Sequence, residues 1–326
     1  MIESLELDGL FAPAPNGSVV SVGVFDGVHL GHQEILRRNL AAARELGARP
    51  TVVTFRQHPK SVLLGRAPRT LTSLEHRLEL FRRAGIEHTV ALTFDDALRS
   101  IPAAEFAHEF LVAKLHAKRL VLGFDSKFGR GREGTPEFLG RLGFAVDVVG
   151  QVVVAGRPVS STAIREAVEL GDLDGATAML GRPVAVYGEV VPGDRVGRRI
   201  GFPTANLDLH HELHPPTGVY AVRARVVRYG RDTRVGPPWL GVANIGFRPT
   251  LEGVRPETPR IEVHLLDFAG DLYGQHVELE FAARLRPERR FDGLPALREQ
   301  IALDIVEARR ILGETSDGSR EGAAGA

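Results

Sequence analysis

The hydrophobic spacing of this 326-residue chain changes once, near Gly181, and that change constrains it more than any other feature. Before it, apolar runs of strand length alternate with stretches of helical spacing. "SVVSVGVF" (Ser18 to Phe25), "RPTVVTF", "HTVALTF" and "AKRLVLGFD" read as buried strands. Between them lie "HQEILRRNLAAARELG", "TSLEHRLELFRRAG" and "PAAEFAHEFLVAKLH". The first has Ile35, Leu36, Leu40 and Ala43 on one face and Gly47 as a stop; the second opens on a Thr/Ser cap and closes on Gly85. "GFAVDVVGQVVVAG" follows as extended structure, and "SSTAIREAVELGDLDGATAMLG" as helix. Such alternation predicts a parallel sheet covered by helices.

After Pro183 the segments shorten. "VAVYGEVV", "GVYAVRARVV", "WLGVANIG", "RIEVHLLDF" and "HVELEFAARL" are strand-like runs separated by Gly/Pro/Asp turns. They predict an antiparallel barrel or sandwich. "GLPALREQIALDIVEARRIL" closes it as an amphipathic helix with Leu297, Ile301, Ile305 and Ala308 along one stripe. The expectation is α/β plus β: a first domain over 1–181, a small antiparallel barrel over 182–312, and a disordered polar tail over 313–326.

Several function classes drop out. The chain has no cysteine, which removes disulfides, zinc–thiolate and iron–sulfur sites and a cysteine nucleophile. Formal net charge is zero, so no global field draws in nucleic acid or an acidic membrane. "MIESLELDGLFAPAP" is acidic and lacks the apolar core of a secretion signal, and no apolar run reaches about 18 residues. The expectation is a cytoplasmic protein acting on small molecules, without nucleic-acid or membrane partners; oligomeric state stays open.

"GVFDGVHLGHQ" (Gly23 to Gln33) sits where a strand ends and a helix begins. Free backbone N–H groups and the helix dipole favour anions at such a junction. Gly27 and Gly31 permit tight turning, and His29 and His32 could donate N–H bonds to phosphate oxygens. Donors placed so can hold the charge that develops when a nucleotide α-phosphate is attacked. Two other readings stay open: a metal site that adds Asp26 and His58, or two histidines without a role. In "VSSTAIR", Ser160, Ser161 and Thr162 are good helix caps and need be nothing more. Arg165, one turn on, can aim its guanidinium fork back at phosphates held by those hydroxyls.

Together, "GVFDGVHLGH" and "SSTAIR" resemble the N-terminal module of the bacterial bifunctional riboflavin kinase/FAD synthetases, within the wider HxGH nucleotidyltransferase superfamily of Rossmann-like domains. The resemblance implies that His29 and His32 stabilise a transferring adenylyl phosphate, with Arg165 as a further catalytic group. Gly23, Phe25, Asp26, Gly31, Ser160, Ser161 and Thr162 are then expected around ATP. "TFRQHP" and "LGFDSKFG" resemble segments lining the nucleotide and flavin pocket, which implies flavin contacts for His58, Asp125 and Phe128. They depart from the family pattern at Gln57, where proline is usual, and at Ser126, where an aromatic is usual.

The second half contains no lysine; Lys60, Lys114, Lys118 and Lys127 are the only ones in the chain. It can hold neither a Walker A loop nor a protein-kinase lysine. A phosphate-transfer site there must use arginine, backbone N–H groups and a metal. "GDRVGRRIGFPTANLDL" offers Gly193, Gly197, Arg198 and Gly201 for phosphates, with Thr204 and Asn206 as oxygen ligands for Mg²⁺. By itself it is better read as a Gly-rich hairpin loop ending in an ordinary turn. "PTAN", "PPTGVYAV", "GVANIGFRPT", "IEVHLLDFAGDLYG" and "LRPERRFDGLPALREQIALDI" follow in the order of the riboflavin kinase family. Strand alternation sets Glu262 opposite in face to Ile261 and Val263. A solvated carboxylate is the ordinary outcome there; the resemblance implies instead a general base for the ribityl hydroxyl. Phe202 and "GVY" are expected near nucleotide or flavin, and Asp267 and Asp271 in turns.

The resemblance thus implies two ATP-dependent steps, riboflavin to FMN in the barrel and FMN to FAD in the first domain, both with Mg²⁺. Gln57 and Ser126 keep a kinase-only protein as an alternative, and a non-catalytic flavin- or nucleotide-binding regulator is another.

Overall fold

The structure is a computed structural model, and it describes residues 2–3, 14–65, 69–193, 197, 200–209, 212–227, 238–247 and 259–313. The expected polar tail and Arg198 lie outside the described residues, except Gly313. Two compact units emerge. The first holds Met1–Ala167, Asp174–Arg182 and His211–Leu213; the second holds Val168–Leu173, Pro183–His210 and His214–Ala326.

The first unit is built on a six-stranded sheet: β1 (Ile2–Glu3), β2 (Ser18–Val22), β3 (Arg49–Phe55), β4 (His88–Leu92), β5 (Ala117–Gly123) and β6 (Val146–Val149). The order is β1-β4-β3-β2-β5-β6, and every pair is parallel. Alternate residues of β2, β3 and β5 feed two cores. Val19, Val52, Val121 and Val149 pack with Ile35, Leu36, Ala42 and Ala43 of α1 (Leu30–Leu46) and with Leu80 and Phe81 of α2 (Leu74–Arg83). Val20, Val22, Val53, Val90 and Leu122 pack with Phe106, Phe110 and Leu111 on the other face. A parallel sheet covered on both faces buries its strands entirely, which is why they read as continuous apolar runs.

Three local differences from the sequence expectation have physical causes. β2 ends at Val22, not Phe25, because Phe25 takes φ 53°, a left-handed conformation that no strand accommodates. The 102–116 helix begins as α3 (Ala103–Glu105) and widens into a π-helix over Phe106–Lys114, where Leu115 N–H reaches back to the Phe110 carbonyl. The 160–181 segment is two helices, α4 (Ser161–Leu170) and α5 (Leu173–Leu180), parted at Gly171 with φ 78°.

The second unit is a closed antiparallel barrel. Its strands are β7 (Ala185–Val191), β8 (Ala205–Asp208), β9 (Gly218–Val227), β10 (Trp239–Gly246), β11 (Arg260–Leu265) and β12 (His276–Arg286). Around the barrel the order is β8-β11-β10-β9-β12-β7, and β7 returns to β8. β8 was expected as loop; its four residues pair with β7 on one side and β11 on the other, closing what would otherwise be an open edge. Tyr187, Tyr220 and Phe281 are among its largest fully buried side chains.

The closing helix α6 (Leu294–Leu312) lays Ala308 and Leu312 on Val219, Ala221 and Val242, with Ile305 beside them. Between its apolar residues it buries Asp304, which receives Arg286 through Nε at 3.0 Å and Nη2 at 2.8 Å, and Gln300 Nε2 at 2.8 Å. Truncating one partner of a buried pair leaves the other charge uncompensated and costs about 3 kcal/mol or more. Asp304→Ala should therefore lower the barrel's unfolding free energy by that order, read as a shifted denaturant midpoint at unchanged slope.

Candidate active sites

The strand order reverses beside β2: β3 lies on one side of it and β5 on the other. Open α/β sheets bind ligands in the crevice formed at such a reversal, outside the carboxyl ends of the strands. The Gly23–His29 loop leaves the carboxyl end of β2, at that crevice. Phe25, Gly27 and Val28 have φ of 53°, 81° and 39°. A β-branched residue at positive φ is strained and persists only where surrounding contacts over-determine the backbone.

Those contacts are numerous. Asp26, almost fully buried, takes the N–H groups of Leu71 (2.9 Å) and Thr72 (3.1 Å) on Oδ1 and Arg165 Nη2 on Oδ2 at 2.6 Å. Ser161 Oγ donates to the Asp26 carbonyl at 2.9 Å. Gly27 N–H donates to Thr72 Oγ1 at 3.0 Å. Arg182 holds the carbonyls of Gly27 (2.8 Å) and Val28 (3.2 Å). Arg77 holds the Val24 and Phe55 carbonyls. The two motifs 139 residues apart are therefore joined by an ion pair.

His29 caps α1. Its Nδ1 accepts the His32 N–H at 3.4 Å, so its proton sits on Nε2 and points away from the cap as a donor. The His32 ring stacks on it with centroids 3.6 Å apart and 16° between planes. Gly31 leaves room beside them: a Cβ there would lie 3.2 Å from His29 Cε1, closer than an ordinary contact. No acidic residue occupies the first turn of α1, which leaves its positive dipole end for an anion. Burial, then Arg182, lowers the His29 pKa to about 4. Burial, then His29, Arg77 and Arg182, lowers His32 well below its ordinary value. Both rings are neutral N–H donors at neutral pH.

The other expected residues fall into place unevenly. Phe25 is a core residue: its ring lies 5.1 Å from His32 and 5.4 Å, edge-on, from Phe81, so it supports the histidine from below and offers no surface to ATP. Asp26 likewise has its carboxylate committed to the loop. Gly23 leads into the loop, where a Cβ would lie 3.1 Å from the Phe25 ring. Ser160 Oγ caps α4 through Ala163 N–H at 3.2 Å, and Thr162 is exposed. His58 is half-buried, and burial lowers its pKa, with the Asp26 charge opposing that and Arg165 adding to it; its Nδ1 accepts Lys60 N–H at 3.1 Å. Asp125 is exposed at the carboxyl end of β5, and Gln57 is exposed with its amide on the Phe94 carbonyl at 3.3 Å. Phe128 packs on Phe106 at 5.4 Å and belongs largely to the core. Arg77, Arg182 and the 69–73 segment gave no sequence signal, because nothing local marks a long-range hydrogen bond. The metal reading of the histidines finds no support: stacked rings do not converge their nitrogens, and Asp26 faces Arg165.

In the barrel, pairing registers set Asn206, Glu262 and Asn244 directly opposite one another across β8, β11 and β10. Residues so paired share a face. Val219 faces Asn244 from β9 and packs under α6, so this row lies on the outside of the barrel. Its neighbours Leu207, Ile261 and Ile245 fill the inside. Asn206 is 9% exposed and its Oδ1 is buried without a hydrogen-bond partner. Gly193 backs it so tightly that a Cβ there would stand 2.0 Å from Asn206 Nδ2. Phe202 N–H bonds the Gly197 carbonyl at 2.8 Å, Gly201 takes φ 90°, and Thr204 is half-buried next to Gly197. His264, which shares the Glu262 face, bonds the Pro203 carbonyl at 2.8 Å and meets Phe202 edge-on. His264 and Asn244 are the site residues that sequence reasoning missed; alternation from Glu262 could have found His264.

Neutral buried histidines make stability depend on pH. Unfolded His29 titrates near 6.5 and folded His29 near 4, so the unfolded chain binds more protons between those values. Stability is whole above pH 6.5 and falls as pH drops toward 4, by roughly 3 kcal/mol for a shift of this size. An NMR titration of the His29 ring should show its midpoint near 4, not near 6.5.

Comparison with known proteins matches this layout. A family model described as FAD synthetase covers residues 12–163, and one described as riboflavin kinase covers 180–312. Curated bifunctional riboflavin kinase/FMN adenylyltransferases are similar over nearly their whole length. The Haemophilus influenzae protein is 38% identical over 90% of this chain and 94% of its own. The Pseudomonas fluorescens protein is 40% identical over 92% and 94%. A crystal structure from Streptococcus pneumoniae, described as a macrolide-efflux protein, covers 94% of this chain and 98% of its own with a TM-score of 0.77 and 31% identity. That description speaks of that protein; no helix among the described residues here is long and apolar enough to cross a membrane. With both domain models in order and relatives aligned end to end, this chain belongs to the bifunctional riboflavin kinase/FMN adenylyltransferase family.

Proposed function

We propose that the chain makes FAD in two ATP-dependent steps, one per unit. In the first unit the FMN phosphate attacks the α-phosphate of ATP, and pyrophosphate leaves. His29 Nε2–H and His32 donate to the oxygens on which charge accumulates, and Arg165 supplies the cation. The observation that carries this is the Arg165–Asp26 pair at 2.6 Å, which joins the histidine loop to the "SSTAIR" helix. Transfer of this kind needs positioning and electrostatics, not a covalent nucleophile. Ser160, Ser161 and Thr162 border the ATP, and His58 and Asp125 the flavin.

In the barrel, Glu262 takes the proton of the ribityl 5′-hydroxyl as it attacks the γ-phosphate, giving FMN and ADP. Gly193, Gly197, Arg198 and Gly201 form the phosphate loop. The partnerless Asn206 Oδ1 and the Thr204 hydroxyl are hard oxygen donors of the type Mg²⁺ uses. Bound there, the ion would neutralise phosphate charge. The protein would act as a cytoplasmic enzyme with small-molecule partners only.

Three variants assayed for both products test the division. His29→Ala should lower FAD formation from FMN, ATP and Mg²⁺ at least 100-fold and leave FMN formation within twofold. Glu262→Gln should do the reverse, about 100-fold or more for a lost general base. Equal loss of both products in either variant contradicts the assignment. Wild-type protein that yields no FAD from FMN at high enzyme concentration leaves the kinase alone. Asn206→Ala should raise the Mg²⁺ concentration for half-maximal riboflavin phosphorylation at least fivefold; an unchanged value removes Asn206 from the metal site.

A further inference from the structure

The riboflavin kinase model spans 180–312, yet Glu212 and Leu213 belong to the first structural unit. Leu213 N–H bonds the Thr70 carbonyl at 2.7 Å, and Thr70 and Glu212 form a parallel bridge. The Glu212 side chain is wholly buried. Its Oε1 accepts Ser73 N–H at 2.5 Å and lies 3.2 Å from His76 Nδ1, itself fully buried. Ser73 is the cap of α2, its Oγ accepting His76 N–H at 3.2 Å.

The segment Arg69–Ser73 is thereby held from two sides. One side is the catalytic loop: Leu71 and Thr72 N–H on Asp26, Thr72 Oγ1 under Gly27 N–H, and the Arg69 carbonyl on Arg165 Nε at 3.0 Å. The other side is Glu212 and Leu213. The backbone groups at 69–73 alternate between the two: the Arg69 carbonyl goes to Arg165, the Thr70 carbonyl to Leu213, Leu71 and Thr72 N–H to Asp26, and Ser73 N–H to Glu212. A segment shared in this way cannot shift toward one side without breaking bonds to the other. The strained Phe25–Val28 backbone needs such over-determined support.

We infer that Glu212 is a positioning residue for adenylyl transfer, supplied to the first unit by a stretch of chain that belongs in sequence to the kinase. It touches no substrate. It fixes Ser73 and His76, these fix Thr70–Thr72, and Thr70–Thr72 fix Asp26 and with it the orientation of Arg165 and the cap at His29. In sequence Glu212 follows Asn206 of the PTAN motif by six positions.

The inference rests on adenylyl transfer occurring at His29 and His32, which His29→Ala tests separately. Full-length wild type, Glu212→Ala and Glu212→Gln are compared for FAD formation from FMN and FMN formation from riboflavin on the same preparations. Glu212→Ala should lower kcat/KM for ATP in FAD formation at least tenfold and keep riboflavin phosphorylation within twofold. Glu212→Gln keeps an acceptor for Ser73 N–H and a polar partner for His76, and should recover FAD formation to within threefold of wild type. In Glu212→Ala the NMR midpoint of His29 should also rise from about 4 toward 6.5, as the loop opens to water. A merely structural loss would lower thermal stability without moving that midpoint. The inference is overturned if FAD formation in Glu212→Ala stays within twofold of wild type, if both activities fall together, if Gln fails to restore what Ala loses, or if the His29 midpoint does not move. If His29→Ala leaves FAD formation intact, the site reading fails instead.

Discussion

One buried carboxylate organises the first site. Asp26 has both oxygens engaged, by two backbone N–H groups on one and a guanidinium on the other, and its own carbonyl takes a serine hydroxyl. Hydrogen bonds to a charged acceptor are about twice as strong as neutral ones, and desolvation makes each more costly to lose. Three segments far apart in sequence converge on this one side chain: the loop after β2, the segment before α2, and the start of α4. Without it the loop's left-handed Phe25 and Val28 would have little reason to hold their conformation. The strain is therefore kept in place by an ion pair and not by packing alone. A charge at 26 is consequently of more use as an anchor than as a ligand, since a carboxylate facing ATP phosphates would repel them.

The second site solves the same problem of phosphate handling with different means. The inside of the six-stranded barrel is filled by side chains, which leaves its polar row on the outer wall. Strand alternation provides for this. Ile261 and Val263 point in, and Glu262 and His264 point out, each aligned with a partner on the next strand. Beside the row, glycine serves close contact as much as flexibility. Gly193 has no room for a side chain because Asn206 occupies it. With no lysine in this half of the sequence, the cationic side chains it can offer a phosphate are arginines.

What could be read from the sequence was what repeats locally. The α/β alternation, the barrel strands, the amphipathic face of α1 and the stop at Gly47 all follow from period and caps. So does the outward direction of Glu262. What could not be read was set by pairings across 46 to 155 residues: Asp26 with Thr72 and Arg165, Arg182 with Gly27, Glu212 with His76. These leave no periodic trace. β8 escaped for another reason. Four residues flanked by proline and polar side chains look like loop, and only closure of the barrel makes them a strand. Phe25 and Phe128 were expected near ligands from their place in the motifs. An aromatic next to glycine can equally turn inward, and here Phe25 enters the core and Phe128 packs on Phe106.

The paired histidines are best understood through their neutrality. A protonated imidazolium at His29 would bind every phosphate oxygen strongly, in the bound nucleotide as well as in the transition state. Binding both equally lowers no barrier. A neutral N–H in a buried setting gains most where charge newly accumulates, because the donor is already oriented and no water must be displaced at that moment. Burial and Arg182 together keep the proton off His29, while the same Arg182 holds the carbonyls of Gly27 and Val28 that set the ring's direction. Arg182 thus adds to the tuning that burial begins, and it also helps position the loop. Arg165 carries a charge that does not titrate near neutral pH and is paired with Asp26. The loop thereby keeps neutral, oriented donors at ordinary pH, held by burial and by two arginines that also fix its backbone and its carboxylate.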